Sequence, residues 1–349
     1  MLRELCEEIQ RIQAEIQTRF PLAQSAEQYR NMVEQLRRNI AFNQPDPFQP
    51  QAWQTVEDVL SGRTLIGEGD PHVNPTYYID PGNGSPIAVA KARYGSESLG
   101  HGTLDDGHGE VVMSRVYQSL GMRSPRREMM RVGNDIWTVS EIMPPGESFG
   151  NVMRNNPEAT LVFKQDVAKD SVARMIGGDP DAHFGNYRVG DDGNLVPFDN
   201  NLARPSPTHP LTSPNMQPFD PSSYGSAAEL DEALEQWVRQ DMEWVWNQTT
   251  RNWDGGALPV RQTVRWDDFD DALRQAEALT PSDLDFIHGA DHLPGGAEAA
   301  LNRRTMELRI KHLREFLRQR IPGAPSAQVI EFAPPGRDGF ELRVAAIAA

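Results

Sequence analysis

The sequence predicts an α+β protein of two unequal lobes, a small β-rich lobe followed by a larger helical one. Three observations predict it. Short apolar runs separated by Gly- and Pro-containing turns cluster between residues 65 and 143, the pattern of antiparallel strands. Beyond residue 159, apolar residues recur at three- and four-residue steps over long stretches, the pattern of amphipathic helices. Within that helical half, one Gly-, Asp- and Asn-rich stretch at 177–200 is the exception, and the chain is organised around it. The 349 residues suffice for roughly two domains, or for one two-lobed domain with additions. The expected division is a helical hairpin at 1–45, a β-rich lobe at 46–145, and a helical lobe with a helical C-terminal extension at 146–349.

In order, Leu2, Leu5, Ile9, Ile12 and Ile16 form the apolar seam of a first helix, and Tyr29, Val33, Leu36 and Ile40 that of a second. This hairpin either packs on the main body or offers a contact to a partner or a second copy. Residues 43–55, rich in Pro and Gln, read as a linker or extended arm. Strands follow at 77–80 and 87–91, joined by the turn Pro81-Gly82-Asn83-Gly84, with Lys91 closing the second. A lysine at a strand end is commonly just a solvated residue. Upstream, Gly67-Glu68-Gly69 is a loop whose glycines would let backbone N–H groups approach a phosphate. A helix runs from Glu110 to a C-cap at Gly121, and a carboxylate at its start suits the helix dipole. Two further strands, 126–131 and 135–143, end at Pro144-Pro145-Gly146, and a helix spans 159–175.

The central stretch runs Gly177-Gly178-Asp179-Pro180-Asp181-Ala182-His183-Phe184-Gly185-Asn186, then a short hairpin across Gly190–Asn194, then Asp199. A hairpin returns on itself, so Asn186 and Asp199 finish side by side, and opposed residues of an antiparallel pair lie about 4.5–5.5 Å apart. An amide oxygen and a carboxylate at that spacing suit a hard, oxygen-liganded cation such as Mg²⁺. Asp181 would stand at the mouth of the same site as an unliganded carboxylate. Two other readings stay open: a plain surface turn, or a divalent-metal site made by Asp179, Asp181 and His183.

The skeleton Asp181-x-His183-x-x-Asn186, hairpin, Asp199 resembles the catalytic and metal-binding loops of the atypical protein-kinase-like families, among them the phosphoinositide lipid kinases, the actin-fragmin kinase and the HipA-like serine kinases. The resemblance covers about residues 60–205. It implies a protein-kinase-like fold with a small N-lobe and a larger C-lobe. It makes Asp181 the catalytic aspartate, Asn186 and Asp199 the ligands of Mg²⁺, and His183 a loop-stabilising residue. Ile87-Ala88-Val89-Ala90-Lys91 resembles the strand whose lysine reaches the phosphates of ATP, and Glu110 would pair with that lysine. Gly67 and Gly69 would cover the phosphates, and Glu141 and Met143 would lie in the hinge beside adenine. One departure stands out: Asp199 is followed by Asn200-Asn201 where these families carry Phe-Gly. Asp179 lies outside the skeleton, so its substitution is expected to cost far less than that of Asp181. The implied activity is ATP- and Mg²⁺-dependent transfer of the γ-phosphoryl group to a hydroxyl acceptor, on a protein or peptide. A lipid or small-molecule acceptor, nucleotidyl transfer, or a scaffold of the same fold are the alternatives.

Residues 203–223 are rich in Pro, Ser, Thr and Asn and read as a long irregular loop. Helices are expected at 226–250, 266–280 and 296–320, the last carrying the one basic region, and a hairpin at 328–345. With 50 Asp and Glu against 34 Lys and Arg, the net charge of −16 argues against nucleic acid or an anionic membrane as the main partner. The single cysteine, Cys6, suits a reducing cytoplasm, and neither a signal peptide nor a transmembrane run is expected.

Overall fold

The computed structural model describes residues 50–61, 76–80, 84, 86–94, 104–142, 147–155, 163–190, 193–200, 202–208, 217–253, 264–288 and 297–321. The expected N-terminal hairpin, Gly67, Gly69, Met143 and the hairpin at 328–345 lie outside these. By contacts, Met1–Asp46 and Pro47–Ala349 are two compact units.

A first helix, α1 (Pro50–Ser61), precedes strands β1 (Tyr77–Ile79) and β2 (Ala88–Tyr94). Helix α2 (Leu104–Ser119) is followed by β3 (Arg127–Val132) and β4 (Asp135–Ser140). These strands form one antiparallel sheet in the order β1-β2-β4-β3. The linker expected at 43–55 is corrected from Pro50 onward. Val56 and Leu60, one helical turn apart, are buried against Ile79, Ala88, Ala90 and Val139 of the sheet, so apolar burial fixes α1 despite the Pro- and Gln-rich composition.

Two corrections concern the elements that carry Lys91 and Glu110. Strand β2 continues to Tyr94, so Lys91 is an interior strand residue paired with Thr138 and not a strand end. Helix α2 begins six residues before Glu110, through Gly107-His108-Gly109, so the helix dipole does not account for Glu110. Helix packing overrides the poor propensity of those glycines: a Cβ on Gly109 would stand 2.5 Å from the carbonyl oxygen of Ala203. Gly121 ends α2 with φ +71°, as expected.

The second half begins with β5 (Glu147–Ser148), α3 (Phe149–Asn155) and α4 (Lys164–Gly177). The hairpin β6 (Tyr187–Val189) and β7 (Leu195–Pro197) joins β5 in a second antiparallel sheet, order β5-β6-β7. Helices α5 (Ala227–Trp253), α6 (Asp270–Ala278), α7 (Pro281–His288) and α8 (Ala297–Arg318) complete it. Of these α7 is unanticipated, because eight residues carry too short a periodic signal. The largest core unites α2 (Val112, Met113, Val116, Tyr117) with α4 (Val172, Met175, Ile176), α5 (Leu234, Val238) and α8 (Leu308, Ile310, Leu313). Thus α2 touches the first sheet on one side and is rooted in the helical core on the other.

The basic region of α8 is neither a plain solvated face nor an unpaired cationic surface. Arg304 pairs with Asp231, Lys311 with Glu235 and Arg318 with Glu277, while Arg309 and Arg314 are buried. No helix among the described residues is long and apolar enough to cross a membrane.

Candidate active site

Alternation along β2 sets the first part of the site. Ala88 and Ala90 turn inward to the α1 side of the sheet, so Lys91 faces the other way. There its Nζ donates to Glu110 Oε1 at 2.9 Å and stands 3.9 Å from Asp199 Oδ1. Glu110 is 1% exposed, a burial that a carboxylate tolerates when it is ion-paired.

The loop after α4 forms the second part. Gly178 closes α4 in the left-handed conformation, φ +69°, and its N–H bonds back to Arg174 O. The chain then folds over the Arg174 guanidinium. Arg174 Nη1 donates to Asp179 Oδ2 at 2.7 Å and to the Asp181 carbonyl at 2.8 Å, and its Nε donates to Asp170. Asp179 Oδ1 accepts the Asp181 N–H at 3.0 Å. Asp181 is thereby held through its backbone, while its carboxylate is partly exposed and receives Asn186 Nδ2 at 3.3 Å. His183 caps the 3₁₀ turn Phe184–Asn186: its Nδ1 accepts the Gly185 N–H at 3.0 Å, and its Nε2 lies 3.7 Å from Asp181 Oδ2. An accepting Nδ1 assigns the proton of neutral His183 to Nε2, facing Asp181.

The β6–β7 hairpin brings in the third part. Tyr187 pairs with Pro197, and Phe198 N–H bonds Asn186 O at 3.0 Å. Asn186 is therefore opposite Phe198, and Asp199 lies one residue beyond the opposed position that the sequence suggests. Both neighbours of Asp199 are tied to the loop, Phe198 through that bond and Asn200 through Nδ2 to Asp179 Oδ2 at 2.9 Å. Arg127 of β3 donates to the Phe198 carbonyl, and Ser124 to that of Pro197 at 3.3 Å.

Beneath the loop lies a buried polar cluster that sequence reasoning missed. Asp170 accepts from Tyr117 of α2 at 2.7 Å, from Tyr187 of β6 at 2.8 Å and from Arg174. Asp170, Arg174 and Asp179 are all fully buried. Burial pushes the Asp170 carboxyl up, against the pull of Arg174 and the three donors. Burial opposes the charge on Arg174 as well, but Asp170 and Asp179 together hold it well above the usual guanidinium range. Burial also raises both tyrosines, keeping their protons available to Asp170. The available signal was Asp170 and Arg174 one turn apart on α4, which also describes any surface i, i+4 pair. The three hydrogen bonds on Asp179 give it a structural place in the loop that the sequence skeleton does not mark. They also count against the Asp179–Asp181–His183 metal reading, because that carboxylate is committed to Arg174, Asn200 and a backbone N–H.

An amide oxygen and a carboxylate, the donors that Asn186 and Asp199 carry, are of the kind an oxygen-liganded cation takes. Asn186 Nδ2 is engaged by Asp181, which turns its Oδ1 the other way, and Asp199 Oδ1 is buried without a hydrogen bond among the described residues. Glu141, expected in the hinge, continues directly from β4. Its N–H bonds Arg126 O at 2.9 Å and its carboxylate accepts the Arg126 N–H at 2.8 Å, so it extends the β3–β4 ladder.

No model of a known protein family matches the chain, and no curated protein does. Among solved structures it is similar to the Cydia pomonella granulovirus kinase PK-1, at 14% identity over 78% of this chain and 98% of that one, TM-score 0.34. It is similar to HipA of the Shewanella oneidensis toxin–antitoxin system at 14% identity, over 75% of this chain and 72% of that one, TM-score 0.27. It is similar to the MAP kinase LmaMPK10 of Leishmania major at 13% identity, over 84% and 97% of the two chains, TM-score 0.27. Two of these three are kinases by name.

Proposed function

We propose that this chain is an ATP- and Mg²⁺-dependent phosphotransferase of protein-kinase-like fold, moving the γ-phosphoryl group to a hydroxyl on a protein or peptide. The observation that carries the reading is the position of Lys91 between Glu110 and Asp199, at 2.9 and 3.9 Å. A strand cation, a helix carboxylate and a post-hairpin carboxylate meet at one point, and phosphoryl transfer needs such a group to grip phosphates beside a metal-binding oxygen.

In this reading Lys91 binds the α- and β-phosphates and Glu110 keeps its ammonium aimed at them. Asn186 and Asp199 would hold Mg²⁺, which when bound offsets charge on the phosphate oxygens. Asp181, backbone-anchored with a partly exposed carboxylate, orients the acceptor hydroxyl and takes its proton. His183 holds the loop by its bond from Gly185 N–H.

The test is incubation of the full chain with Mg²⁺, a cell lysate and either γ-labelled or α-labelled ATP. Transfer of γ label to protein, with none from α label, is expected. Label moving only from the α position, γ label confined to the lipid or small-molecule fraction, or no transfer at all overturns the corresponding part of the reading.

A further inference from the structure

We propose that Asn200 is a positioning residue, fastening the Asp199 strand end to the Asp181 loop through Asp179 and to the Glu110 helix through Tyr117; this rests on the proposed phosphotransferase reading. Asn200 is fully buried, and its Nδ2 donates to Asp179 Oδ2 at 2.9 Å and to Tyr117 Oη at 3.4 Å. The partners fix the amide's orientation. An ionised Asp179 only accepts, so the nitrogen must face it. Tyr117 gives its own proton to Asp170 Oδ1 at 2.7 Å, which leaves the phenolic oxygen to accept from Asn200.

One carboxylate then separates Asn200 from the expected catalytic aspartate, because Asp179 Oδ1 holds the Asp181 N–H at 3.0 Å. The link to Glu110 follows from helix geometry. Tyr117 stands about two turns after Glu110 on α2, so both project from one face of that helix. A single side chain adjacent to Asp199 is thereby joined to both other parts of the site. The aromatic residue that this position carries in the families resembled would have no donor for Asp179. Aspartate, of the same shape, would set a second carboxylate against it.

The test compares Asn200→Ala and Asn200→Asp in the full chain, by amide hydrogen exchange and by kcat and KM for Mg·ATP near neutral pH. Both variants should exchange faster over 179–186, and kcat should fall by up to about 10²-fold with KM nearly unchanged, as a misplaced reacting group does.

Unchanged exchange over 179–186 in both variants, or an effect confined to KM, overturns the inference. If the wild type transfers no phosphoryl group, the functional reading fails separately, and the exchange measurement alone decides the role of Asn200. If Asn200→Ala does not fold, the exchange over 179–186 and the kcat of the isosteric Asn200→Asp decide it.

Discussion

Lys91 Nζ lies 2.9 Å from Glu110 Oε1, across 19 residues of sequence and between a strand and a helix. The pair is preassembled because α2 is rooted in the helical core by Val112, Met113, Val116 and Tyr117. Removing either partner leaves the other uncompensated in a largely buried place. Lys91→Ala and Glu110→Ala should therefore lower turnover by similar factors, with the double variant little worse. A coupling of about 0.5–3 kcal/mol from the double-mutant cycle is expected. Strictly additive losses would show that the two residues act separately.

Asp199 Oδ1 is buried, accepts no hydrogen bond among the described residues and stands 3.9 Å from Lys91. Thermal unfolding should rise with ATP plus Mg²⁺ and much less with ATP plus chelator. At about 100 times Kd the gain is about 2.7 kcal/mol. Asp199→Ala should abolish the Mg²⁺-dependent part; an equal rise with and without metal would remove Asp199 from the cation site.

Gly178 and Gly193 form a matched pair, with φ of +69° and +78°. A Cβ at Gly178 would meet Arg309 Nη2 at 2.5 Å and Arg204 O at 2.7 Å, whereas nothing lies within 4 Å at Gly193. Backbone strain alone costs of order 1–3 kcal/mol. Gly193→Ala should cost about that in denaturant unfolding, and Gly178→Ala distinctly more, because Arg309 is locked to Asp241 and cannot yield cheaply. Equal losses would contradict the packing around the loop.

His288 on α7 is pushed down to about 3, first by burial and then by His108, Arg303, Arg115 and Arg309. Its Nε2 is buried without a hydrogen bond among the described residues. A folded value below the unfolded one near 6.5 means the unfolded chain binds the extra proton. The contribution is therefore present above about pH 6.5 and lost as pH falls toward about 3. His288→Gln should flatten the stability curve in that window by up to about 1.4 kcal/mol per pH unit. An unchanged slope would place the acid sensitivity elsewhere.

The hairpin and the strand that carry Asn186 and Lys91 were legible because they rest on local rules. The hairpin after Asn186 follows from two short apolar runs around Gly190–Asn194, and β2 from alternation through Ala88, Val89 and Ala90. Tertiary contacts were not legible. The start of α2 depends on Gly109 meeting Ala203, and α1 on Val56 and Leu60 meeting the sheet. The Asp170–Arg174–Asp179–Asn200 cluster joins α4, the loop after it and the chain beyond β7, and no short spacing in the sequence marks the junction with Asn200.

The division of labour between Asp179 and Asp181 is the core of the account. Asp179 is buried and triply bonded, whereas Asp181 is anchored by its backbone and leaves its carboxylate partly exposed. The most direct measurement is γ-phosphoryl transfer by Asp181→Asn, with Mg·ATP affinity and thermal stability followed in parallel and Asp179→Asn as the comparison. Asp181→Asn should keep stability and affinity while transfer falls about 10²–10⁴-fold. Asp179→Asn should lose stability first, by no more than about 3–5 kcal/mol, since Arg174 retains Asp170. An Asp181→Asn protein that transfers phosphate at the wild-type rate would contradict the account.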